Sequence, residues 1–270
     1  MADQSIFSKG FFGEGFISPD INETIAIITS ENEEWFTLLR DINRLLQAIV
    51  VSGFQKHHGR TMDLEVLAML TAMRSLSNFQ SAFINLERGM IVEARILIRC
   101  LFENAFCMGA LAETPEKFIP LLYKDNVAAK RGQAKALKQG SYSLDQDVAT
   151  AMDEILAGDK GRHLNWQEVS EMSSLRNQYL FHKHLSDDAM HYSASSLKRY
   201  IISNKETNSW SGYKFGPGKK AEVALAANLS ASAALGILIG FPQATKDSSH
   251  DKEANELLDR FGSLSSLKPE

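Results

Sequence analysis

Arg95, Arg99 and Glu103 recur at every fourth residue of one segment. On a helix that spacing lines three charged side chains along a single stripe. Ile96, Leu97, Ile98, Cys100, Leu101, Phe102, Ala105 and Phe106 surround them. A helix apolar almost all round is a buried helix. Two arginines and a glutamate are expensive to bury unless they are paired. Two arrangements meet that demand. One is a core ion-pair network in which Glu103 bridges Arg99 and a neighbouring helix. The other is an anion-binding or catalytic cluster at the centre of a bundle. The net positive charge of the stripe calls for an anion or a further carboxylate.

A second polar segment runs over 175–191. It contains Arg176, Asn177, His182, His184, Asp187, Asp188 and His191, so three of the seven histidines fall within ten residues. Histidine titrates near neutral pH, and a cluster of them suits proton transfer or metal binding. His182 and His184 would sit about 160° apart on a helix and could not share a metal there. On a strand or an irregular turn they could, with Asp187, Asp188 and His191 as further ligands. The bland reading is a helix end whose histidines are solvated near the C-terminal dipole.

Composition narrows the classes. Of 270 residues, 44% are hydrophobic and 23% charged, as in an ordinary globular chain. The formal net charge of −4 gives no global attraction to nucleic acid. A local basic face exists at Lys124, Arg131, Lys135 and Lys138, and it reads first as a solvated helix face. Cys100 and Cys107 lie two helical turns apart, about 10 Å, too far for a disulfide. Buried reduced thiols and a cytoplasmic location are the expectation. Residues 1–17 lack the basic and apolar regions of a signal peptide. The most apolar stretch, 223–241, is long enough to span a membrane but holds Asn228, Ser230, Ser232 and many alanines. A buried core helix is the better reading, with no membrane partner.

The elements that must position these residues read as helices. Residues 19–30 read as a loop with a short turn, and Ser30 as the cap of a helix ending at Gly53. Further helices are expected over 62–86, 91–111, 114–138, 144–156 and from 166 to at least 181, with a short one at 193–202. The 203–219 region is rich in turn residues, and its alternating aromatics allow a short hairpin near 208–216. A helix over 220–241 follows, then an amphipathic stretch at 253–261. The expected fold is all-α, a multi-helix bundle of about seven long helices. Its parts are a leading segment 1–30, a helical domain 31–241 and a polar tail 242–270.

Two resemblances bear on function. The run from Glu93 through Arg95, Arg99 and Glu103 resembles the arginine-to-glutamate helix of a bacterial family, domain of unknown function 5677. Leu185-Ser186, then His191-Tyr192-Ser193 and Ser195-Ser196-Leu197, resembles its Leu-Ser…His…Ser-Leu segment, although Tyr192 stands where the family usually has proline. That resemblance spans roughly 35–240, implies an all-helical fold and points to Arg99, Glu103 and His191. Arg176-Asn177 followed by His182 resembles the motif of the HEPN ribonucleases, which act without metal and often as dimers. It implies that Arg176 holds a phosphate and His182 moves a proton, with Asn177 beside them. On a straight helix Arg176 and His182 would point about 120° apart, so they meet only where the helix breaks or across two subunits.

Three functions are therefore in play. The first is a metal-independent endoribonuclease of toxin or phage-defence type, with RNA as partner, a homodimer as its form, no cofactor, and Arg176, His182 and His191 as catalytic groups. The second is a non-catalytic module in which Arg95, Arg99, Glu103 and His191 form a buried network or anion pocket. The third, a metal-dependent hydrolase on the histidine cluster, ranks last, because no HExxH pair is present. If there is one site, the stripe is expected to face His191 first.

Overall fold

A computed structural model describes residues 11–140, 143–186, 194–204, 206–207 and 209–266. In chain order its elements are α1 (Phe11–Glu14), a 3-10 turn (Gly15–Ile17), α2 (Ile21–Glu31), α3 (Glu33–Gly53), α4 (Leu64–Glu87), α5 (Ile91–Glu113), α6 (Pro115–Gln139) and α7 (Gln146–Ala157). Then come α8 (Trp166–Glu171), a second 3-10 turn (Ser174–Gln178), α9 (Tyr179–Leu185), α10 (Ala194–Lys198), strands β1 (Ile201–Asn204) and β2 (Ser209–Tyr213), α11 (Lys220–Thr245) and α12 (Asp251–Ser265). The fold is all-α with one two-stranded antiparallel hairpin.

The centre of the bundle is α5 against α11, flanked by α4 and α3, with α12 laid on α3 and α11. The α5–α11 contact is close because its residues are small. A Cβ at Gly240 would come within 2.8 Å of Met108 Cγ, and one at Gly236 within 3.6 Å of Ala105 Cβ. The stretch read as a core helix is α11. It is long and apolar enough to cross a membrane by length and composition, and 72% of its most apolar window is buried inside the fold.

Several expectations are corrected. Residues 21–31 are a full helix, because Ile21, Ile25 and Ile28 repeat at helical spacing and Ile28 is buried. Ser30 lies inside that helix and donates its hydroxyl to the Ile27 carbonyl at 2.9 Å. The residue before α3 is Asn32 instead. Of the segment expected as a helix at 193–202, the described residues from Ala194 on divide between α10 and the start of β1, so the hairpin starts earlier than expected. The helix expected from 166 to at least 181 is broken after Glu171. Ser173 starts the next turn, its Oγ accepting from the Leu175 N–H at 3.3 Å. Glu113, at the end of α5, takes the Ser174 N–H and hydroxyl at 2.9 and 2.8 Å.

Candidate functional site

That break positions the site. α8, the 3-10 turn and α9 fold back along α5 and bring His182 over the charged stripe. His182 is 4% exposed. Its Nε2 lies 3.0 Å from Glu103 Oε1. The same oxygen receives Arg99 Nη1 at 2.9 Å. Arg99 Nε donates to Ser186 Oγ at 2.8 Å, and Ser186 donates in turn to the His182 carbonyl at 2.8 Å. Glu103 thus bridges Arg99 and a neighbouring helix. An ionised carboxylate can only accept, so against such a Glu103 Nε2 is the donor, and in a neutral ring Nδ1 is then the bare nitrogen. Nδ1 is buried and without a hydrogen-bond partner among the described residues. Tyr179 stacks on the imidazole with centroids 5.6 Å apart, and Phe106 meets it edge-on at 5.9 Å.

The network opens onto a cleft of about 520 Å³ whose lining includes Arg99, Arg162, Trp166, Tyr179, Lys183 and Ser186. One wall is the loop after α7. Gly161 has φ +63°, and a Cβ there would fall 2.3 Å from Ala128 N and 2.5 Å from the Lys124 carbonyl of α6. Only glycine lets the loop lie so close. The Arg162 N–H then bonds the Lys124 carbonyl at 3.1 Å, and the Leu164 N–H bonds Asp125 at 3.0 Å. Asn165 closes the loop by capping α8 through the Gln167 and Glu168 N–H groups, at 3.0 and 3.3 Å. The cleft has cationic groups from Arg99, Arg162 and Lys183, and aromatic walls from Trp166 and Tyr179. Arg162 also pairs with Glu168, and His163 with Asp125. Such a pocket suits an anion attached to a planar group.

Not every expected residue arrives there. Arg176 and Asn177 are exposed on the 3-10 turn and do not line the cleft. The helix break therefore does not bring Arg176 to His182. Arg95 is half-buried, one turn before Arg99, and does not line the cleft. His191, Asp187 and Asp188 lie outside the described residues; among the described residues, His182 is the histidine placed against the stripe. His184 is exposed. Among the described residues, no group of three or more His, Cys, Asp or Glu side chains could hold a metal. The basic face of α6 is partly engaged in structure. Arg131 Nη1 bonds the last carbonyls of α7, and Lys138 pairs with Asp153.

Both cysteines are half-buried and free. Burial, then the Glu103 charge, raises both thiols, and Cys107 is pushed up to about 12. Neither is a ready nucleophile. Sequence reasoning missed the roles of Ser186, Trp166 and Tyr179. Ser186 follows His182 by four residues, a helical neighbour spacing. Trp166 and Tyr179 converge only because the helix between them breaks.

The model of a family of unknown function, DUF5677, matches residues 65–209. The chain belongs to this family. The match covers α4 to the start of β2, a narrower span than 35–240, and it includes Arg99, Glu103, His182 and Ser186. No curated protein and no solved structure matches the chain.

Proposed function

We propose that this member of the DUF5677 family uses the α5–α9 cleft as a metal-independent acid–base site on a phosphodiester, with single-stranded RNA as the substrate class. The observation that carries the reading is the shared Glu103 oxygen, which holds both Arg99 and His182 at the floor of a basic, aromatic cleft. Glu103 orients the imidazole and stabilises the imidazolium when Nδ1 takes the 2′-hydroxyl proton. The 2′-oxygen bonds to phosphorus as the bond to the 5′-oxygen breaks. The imidazolium returns its proton to that leaving oxygen, giving a 2′,3′-cyclic phosphate and a free 5′-hydroxyl. Arg99, whose Nε and Nη1 are engaged, offers Nη2 to the phosphate, and Lys183 adds charge. Nδ1 is buried, so substrate entry must displace the side chains covering it. Apo acid–base sites commonly tighten in this way on binding. In this reading the proton is handled by His182 and the phosphate by Arg99. Arg176 and Asn177, exposed on the adjoining turn, could contribute only from a second subunit of a dimer.

The test is cleavage of single-stranded RNA by the purified protein in EDTA. Wild type should cleave, and His182→Ala should lose cleavage by about a hundredfold or more. Intact RNA at high concentrations of folded wild-type protein contradicts the reading. One observation favours a second reading: the burial of Nδ1 also fits a clamp that only ties α9 to α5. In that case His182→Ala lowers Tm and no RNA is cleaved.

A further inference from the structure

The hairpin β1–β2 and the residues just after it expose large aromatic side chains. Trp210 is 60% exposed, Tyr213 75% and Phe215 70%. Two residues three apart on a regular strand point to opposite faces. Here Ile202 pairs with Gly212 and Ser203 with Trp210, so Ser211 is an extra, bulged residue. Its Oγ donates to the Ile202 carbonyl at 2.8 Å. The bulge turns Trp210 and Tyr213 to the same side, where their ring centroids are 5.3 Å apart.

The hairpin is held firmly at its base. The Gly218 N–H bonds the Gly89 carbonyl of the α4–α5 turn at 2.8 Å, and Gly89 has φ +72°. A Cβ at Gly218 would fall 2.2 Å from Ile91 Cγ1. The surroundings are basic. Residues 194–220 carry five lysines and one arginine against one acid, Glu206, a net +5 in a chain of net −4. Lys198, Lys214, Lys219 and Lys220 are all exposed.

We propose that this hairpin is a stacking platform for single-stranded nucleic acid, with bases on Trp210 and Tyr213 and backbone phosphates on the neighbouring lysines. Exposed rings beside lysines match a strand that shows both π-faces and charge. A duplex hides its π-faces. Trp210, Tyr213 and Phe215 lie beyond the matched family segment, which ends at residue 209, so the platform belongs to this chain on its own evidence. It does not rest on the cleft chemistry.

The probe is a fluorescently labelled deoxythymidine dodecamer, which lacks the 2′-hydroxyl and so cannot be consumed by the chemistry proposed for the cleft. Wild type should bind it, with affinity falling as salt rises, and should bind a duplex of equal length less tightly. Trp210→Ala/Tyr213→Ala should weaken binding by about tenfold or more at unchanged Tm, while Trp210→Phe/Tyr213→Phe should retain it. Four results overturn the proposal: no binding by wild type, equal binding by the alanine variant, binding only to phosphatidylserine vesicles, or a wild-type dimer that the alanine variant turns into a monomer. Because the probe cannot be cleaved, failure of the cleft reading leaves this result standing, and the reverse also holds.

Discussion

The cleft beside α5 and the hairpin β1–β2 hold the same kinds of side chain, cations next to aromatic rings, in opposite surroundings. In the cleft, Arg99 and Glu103 each keep only 15% of their side-chain surface, and His182 is buried between Tyr179 and Phe106. On the hairpin, Trp210 and Tyr213 stand in solvent. Burial makes polar residues interdependent, because each one left unpaired carries its full desolvation cost. Exposure makes them replaceable for the fold. Substitutions in the cleft should therefore register in stability and function together, and those on the hairpin in binding alone.

The largest expected effect comes from Glu103→Ala, which strips the partner from both Arg99 and His182. It should cost about 2–4 kcal/mol, a fall in Tm of roughly 5–10 °C for a chain of this size. Trp210→Ala, compared in the same calorimetric experiment, should leave Tm unchanged. Equal shifts for the two would erase the contrast.

Gly161→Ala comes next. The new methyl group meets the backbone of α6, so the loop carrying Arg162 must lift away, at about 1–3 kcal/mol. Hydrogen exchange should rise at Leu164 and Asn165 while α11 stays protected. Unchanged exchange in the loop would mean that the wall is not pinned there.

The smallest effect lies at a third place, where Lys56 donates to Asp247 at 2.8 Å and Ser249 adds its hydroxyl and N–H. These bonds, the Lys56 contact first, hold the Asp247 carboxyl well below the usual aspartate range. Its folded-state pKa is depressed, so its contribution is complete above the ordinary aspartate value and is lost as pH falls below it. Asp247→Asn should lower the neutral plateau of a Tm-against-pH curve slightly, flatten the acid limb by the same small amount, and leave the acid end unmoved. A large change at neutral pH would rank this exposed pair with the cleft, against the rule that exposed pairs contribute little.

Much of the fold was legible because the long helices state their own periodicity. The spacing of Leu38, Ile42, Leu45 and Ile49 marks α3, and the Thr114-Pro115 start and Gly140 stop bracket α6. The demand that the α5 charges be paired was also legible, since it follows from an apolar helix carrying arginine and glutamate. The identity of the partner was not. His182 reaches Glu103 only because the chain breaks between Glu171 and Tyr179, and that break is fixed by long-range contacts: Glu113 on Ser174, and Gly109 against Ser173. Helical periodicity over 166–181 carries no trace of them. For the same reason the pairing of Arg176 with His182, plausible as spacing, does not occur within the chain, because the 3-10 turn leaves Arg176 outside. The bulge at Ser211 was equally hidden, since an alternating pattern in the sequence presupposes the regular strand that the bulge interrupts.

The account turns on Glu103 holding His182 by Nε2, with Nδ1 left as the nitrogen that can accept a proton. Nitrogen-15 NMR of the histidine-labelled protein reads this directly. In the neutral ring of His182 it should find the proton on Nε2, and Glu103→Gln should alter that tautomer balance or the Nε2 shift. A neutral ring protonated at Nδ1, indifferent to Glu103→Gln, would contradict the account.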